Sequence, residues 1–96
     1  VAKPPKLFSH IGWISMEWGY RCFVGDTAQD LVRRSSHYWL PQFDVRGGCP
    51  RSEPARAFRG QEAAVDWLRE EILNFYRRME TDISKEQLKL KFKQKH

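Results

Sequence analysis

From Ile14 to Val24 the apolar residues fall on every second position, as Ile14, Met16, Trp18, Tyr20, Cys22 and Val24, with Ser15, Glu17, Gly19 and Arg21 between them. Successive matches to a period of two predict β-structure with one buried face. Ile11 and Trp13 lie in the opposite phase, and Gly12 and Gly19 are natural places for a bulge or bend that shifts it. One long bent strand and a tight hairpin both satisfy this pattern. Gly25-Asp26 then predicts a turn, and Thr27 followed by Asp30 forms a capping-box pattern that predicts a short helix through Leu31 and Val32. Pro41 biases Leu40 toward an extended conformation, so Tyr38 to Val45 is expected to be loop or short edge strand.

Between Asp44 and Ala57 apolar content nearly vanishes, while Gly47, Gly48, Pro50, Pro54, Arg46, Arg51 and Arg56 accumulate. That composition predicts a mobile loop over residues 44–57, of a length usually reserved for binding segments or disorder. From Gln61 the period changes. Ala64, Val65, Leu68, Ile72, Phe75, Tyr76 and Met79 recur at spacings of three and four, while Asp66, Arg69, Glu70 and Arg77 face away. This predicts an amphipathic helix from Gln61 to about Glu80, with Gly60 as its N-cap and Glu62 on the favourable side of the helix dipole. Further on, Ser84 and Gln87 repeat the capping-box pattern, whereas Leu88 to Lys93 alternates as a strand would. A second helix is the expectation there. The fold class is thus α+β: a small N-terminal antiparallel sheet or hairpin packed against one long amphipathic helix. A polar N-terminal arm (1–10) precedes this single small domain (1–96), and a basic tail or helix (84–96) ends it.

Charge sharpens this picture. The net charge is +5, distributed as nine Lys/Arg against five Asp/Glu in residues 1–60, three against six in 61–83, and five against one in 84–96. Basic segments of this kind attract phosphates or acidic protein surfaces. Cys22 and Cys49 are 27 residues apart without CxxC or Cys/His ligand spacing, which predicts free thiols in a reducing compartment. His10, His37 and His96 form no metal-binding motif, and Glu70 and Glu71 point about 100° apart on a helix, unlike a general acid/base pair. No phosphate-binding glycine motif is present. Neither a membrane span nor a signal peptide is expected, since the apolar runs are short and Val1 to Lys6 is polar. The start at Val1 is expected to reflect an initiator methionine removed or left outside the numbering.

The chain therefore predicts binding rather than catalysis, with no cofactor. Eight of its thirteen aromatic residues fall between Phe8 and Phe43. Aromatic and arginine side chains are what contact hot spots use. The candidate partner-binding residues are Trp39, Phe43, Arg46, Pro50 and Arg51, in and beside the proline-rich loop. Lys89, Lys91 and Lys93 are candidates for contact with phosphate or an acidic surface, which keeps a small basic single-stranded nucleic-acid-binding protein as the alternative. The positive net charge argues against a DNA mimic. The X-Pro bonds before Pro41, Pro50 and Pro54 add a source of slow isomerisation, with Pro50 the least constrained.

Three stretches carry a family resemblance: Ile11 to Asp26 (IGWISMEWGYRCFVGD), His37 to Phe43 (HYWLPQF) and Gly60 to Ile72 (GQEAAVDWLREEI). Taken with the length, the whole chain resembles the second anti-RecBCD accessory proteins of lambdoid phages. The resemblance implies a non-enzymatic phage protein of the host cytoplasm. It would bind the host RecBCD helicase-nuclease through the RecC subunit and modify it to favour phage recombination. It also implies association with a host prolyl isomerase, and it assigns no contact residues. Separately, the basic tail leads to the expectation of weak or indirect contact with single-stranded DNA.

Overall fold

A computed structural model describes residues 3–46 and 51–94, with side chains up to Met79. Its elements are β1 (Ile14–Met16), β2 (Gly19–Val24), β3 (Thr27–Arg33), β4 (Tyr38–Val45), β5 (Phe58–Arg59) and α1 (Gln61–Gln94). The strands form one antiparallel sheet in the order β1-β2-β3-β4-β5, each paired with its neighbour in sequence. The α+β expectation is met, by a larger sheet than the N-terminal hairpin alone.

The period-two run resolves as a hairpin. Met16 pairs with Gly19 across the two-residue turn Glu17-Trp18, and Gly19 has φ +150°. A Cβ at Gly19 would lie 2.0 Å from the Leu31 carbonyl oxygen, so glycine is what lets β2 approach β3 here. The second turn, Gly25-Asp26, joins Val24 to Thr27. Gly25 has φ +55°, and a Cβ there would meet the Tyr76 hydroxyl, which donates to the Val24 carbonyl at 3.2 Å.

Two expectations are corrected. Residues 27–33 are a strand, not a short helix. Thr27 and Gln29 are polar yet buried on the inner face, which hid the alternation. Their side chains satisfy each other, Gln29 Nε2 donating to Thr27 Oγ1 at 2.6 Å and Thr27 Oγ1 to the Val24 carbonyl at 2.7 Å. Asp30 caps nothing and pairs across the strands with Arg21. Residues 38–45 form the longest strand, flanked on both sides, rather than a loop or short edge strand.

Pro41 is compatible with this position for a geometric reason. Phe43 exchanges both backbone hydrogen bonds with Ser52, so its N–H points away from β3, and that of residue 41, two positions back, would do the same. Pro41 falls between the Trp39–Phe58 and Phe43–Ser52 pairs, where no ladder bond is lost. The loop expected over 44–57 is correspondingly shorter, since β4 runs to Val45 and Ser52 is tied to it.

The helix covers one face of the sheet, packing on β3, β4 and β5. Ala64, Val65, Leu68 and Ile72 are buried against Tyr20, Cys22, Leu31, Trp39 and Phe43, as the stripe predicted. Met79, the last stripe residue, is exposed. The helix continues without a break through Ser84 to Gln94, so the expected second helix is an extension of the first. At about 1.5 Å per residue it is ~51 Å long, roughly twice the span of an eight-residue strand. The N-terminal arm joins the core through Pro4 and Leu7, held by Arg69, which donates to the carbonyls of Leu7 (2.8 Å) and Lys6 (2.6 Å).

Candidate protein-binding face

Alternation gives the sheet a second face that α1 does not cover. Since Tyr20, Gln29, Leu31 and Phe43 point at the helix, the residues between them point away. The cross-strand register then aligns Ile14, Arg21, Asp30 and Gln42 in one row across β1 to β4. Arg21 grips Asp30 with two bonds, Nε to Oδ1 at 2.7 Å and Nη2 to Oδ2 at 3.2 Å, and its guanidinium lies 5.0 Å from the Trp18 ring centre. The hydrogen bond to Asp30 holds the Arg21 pKa above its ordinary value, partly offset by burial.

The row continues through the segment tied to β4 by Ser52. Arg51 Nη1 donates to Gln42 Oε1 at 2.9 Å, and Gln42 Nε2 donates to Glu53 Oε2 at 2.8 Å. Trp18, Arg21, Asp30, Val32, Gln42 and Arg51 line an open cleft of about 300 Å³. Beside this polar centre the same face carries Asp44, in register with Ala28 and Phe23, and several exposed apolar side chains. Ile14, Met16, Phe23 and Tyr38 are 51%, 37%, 48% and 45% exposed, far more than apolar side chains with a partner in the fold. Exposed aromatic and aliphatic side chains around self-paired charges are the composition of a protein contact patch.

The residues expected to bind partners divide. Trp39 and Phe43 are 2% and 4% exposed and belong to the core, where the helix occupies the surface a partner would need. Their place beside a proline-rich segment suggested contact; their inward phase on β4 decides for packing. Arg46 is exposed at the end of β4, its N–H bonded to the Asp26 carbonyl at 2.8 Å, and does not line the cleft. Arg51 does. Pro50 lies outside the described residues, as do the side chains of Lys89, Lys91 and Lys93, whose backbone belongs to α1.

Trp18, Arg21 and Phe23 were missed. The signal for Arg21 was present, because the alternation of β2 already turned it outward. The period of two places Trp18 in the buried phase, whereas the Glu17-Trp18 hairpin turn removes it from the strand. Cys22 is buried and free, and burial followed by the nearby Asp30 charge pushes its thiol up from 9.0 to about 12.

No family model matches the chain, and comparison with curated proteins and with solved structures finds no match. Among the described residues no helix is long and apolar enough to cross a membrane.

Proposed function

We propose that this chain is a non-enzymatic phage accessory protein that binds the host RecBCD helicase-nuclease in the host cytoplasm and modulates it to favour phage recombination, with RecC as the contacted subunit. The partner comes from the family resemblance. The single observation that favours protein binding is the uncovered sheet face, where Ile14, Phe23 and Tyr38 stand exposed around an Arg21–Asp30 ion pair. A surface built to track nucleic acid presents unpaired cations in a row. Here the central cation is already paired with Asp30, and Gln42 of the same row is bonded to Glu53.

Association with a host prolyl isomerase belongs to the same proposal. Pro41 is fully buried in β4, whereas Pro54 is only partly buried and lies outside the strands, so the bond before Pro54 is one an isomerase could reach without unfolding the sheet.

Capture of purified RecBCD on the immobilised protein, with a gel shift on single-stranded DNA alongside, separates the two function classes. The expected outcome is RecBCD retention with RecC in direct contact, and DNA binding weaker than micromolar at physiological salt. Tight DNA binding with a steep salt slope, and no RecBCD retention, would replace this function with direct nucleic-acid binding.

A further inference from the structure

We infer that the cleft between Trp18 and Arg51 receives an acidic side chain, Asp or Glu, from a protein partner. The inference rests on the protein-binding function proposed above and assigns that face its central contact. Three features carry it. First, the cleft offers donors in excess. Arg21 spends Nε and one hydrogen of Nη2 on Asp30 and keeps Nη1, while Arg51 spends only Nη1 on Gln42 and makes no bond through Nε or Nη2 among the described residues. Two guanidiniums against one carboxylate leave the lining with one net positive charge.

Second, the walls fit a short acid on a methylene stem. Trp18 and Val32 are apolar and flank the guanidinium forks, and a planar carboxylate accepts two parallel N–H bonds from such a fork. Both arginines are already oriented, Arg21 by Asp30 and the Trp18 ring and Arg51 by Gln42, so little side-chain freedom is lost when the ligand arrives.

Third, the positive charge is a spot and not a track. Glu53 accepts from the same Gln42 amide that Arg51 bonds, and along the row beyond Arg21 stands the apolar Ile14. A nucleic-acid backbone repeats its charge along the strand and would meet apolar or acidic groups on either side of this site. A single carboxylate displayed on an otherwise apolar partner surface would not.

The test is a titration of isotope-labelled protein followed by NMR, reading the Trp18 indole N–H and the Arg21 and Arg51 Nε–H signals. The probes are the blocked tripeptides acetyl-Gly-Glu-Gly-amide and acetyl-Gly-Gln-Gly-amide and a short oligothymidylate. The glutamate peptide should shift the Trp18 and Arg51 signals saturably, and the glutamine peptide should bind about tenfold more weakly or worse. Arg51→Gln should weaken the glutamate response by a similar factor. Arg51→Lys should restore part of it, and unchanged backbone amide spectra establish that both variants are folded. Equal responses to the two peptides, no response at Trp18 and Arg51, or a stronger response to oligothymidylate would each overturn the assignment. A failed titration counts against the cleft alone, whereas failure to retain RecBCD counts against the partner alone.

Discussion

Burial separates residues that look alike in the sequence. Trp18 and Trp39 are both aromatic neighbours of arginine, yet Trp39 is 2% exposed and Trp18 forms one wall of the open cleft. Trp39→Ala should therefore destabilise the fold by about 3–5 kcal/mol, and Leu68→Ala by about 2–5 kcal/mol, as large-to-small core changes. Urea denaturation of both variants checks this, and near-neutral values would remove them from the core. Cys22 gives a second prediction at this scale. Its thiol should resist alkylation in the folded protein at pH 8, as read by peptide mapping, and react once the chain is unfolded. Because the folded pKa is raised, the unfolded chain loses this proton first as pH climbs. The Cys22 contribution to stability is intact below about pH 9 and declines from there toward pH 12. A comparison of wild type with Cys22→Ala across that range isolates it: the stability difference should shift against the wild type as pH rises.

The elements were legible wherever the pattern was apolar. The stripe from Ala64 to Ile72 predicted the helix and its buried face, and Tyr20, Cys22 and Val24 predicted β2 and its phase. Where polar residues occupy inward positions the pattern failed. Thr27 and Gln29 in β3 pair with each other in the core, so the sequence presents no hydrophobic period there. Pro41 argued against a flanked strand because its position relative to the gap between Ser52 and Phe58 depends on a register that composition does not encode. The site suffered likewise: its row of Arg21, Asp30 and Gln42 is assembled from three strands, and only register brings them together. The N-terminal arm offers a prediction for how separate elements are joined. Arg69 bonds two arm carbonyls from α1, and removing it leaves those of Lys6 and Leu7 without their partner. Arg69→Ala should lower stability by about 1–3 kcal/mol, with faster amide exchange in the arm, and unchanged thermal unfolding would show the arm to be held by Leu7 packing alone.

At the scale of the molecule the helix and sheet divide the work. One sheet face is spent on the core, and the other, left uncovered by α1, carries the Arg21–Asp30 pair with Phe23 and Tyr38 exposed. Helix burial supplies the stability that lets Ile14, Phe23 and Tyr38 remain uncovered. Such a surface predicts that function can be lost without loss of fold. The most direct measurement is the affinity of purified RecBCD for wild type, Ile14→Ser, Phe23→Ser and, as a control exposed on the helix, Leu73→Ser, each checked by thermal unfolding. The sheet-face variants should keep wild-type stability to within about 0.5 kcal/mol and lose more than about 1 kcal/mol of binding, while Leu73→Ser binds as wild type. Equal affinity across all four proteins would contradict the assignment of this face as the contact surface, and no measurable affinity in the wild type would contradict the partner.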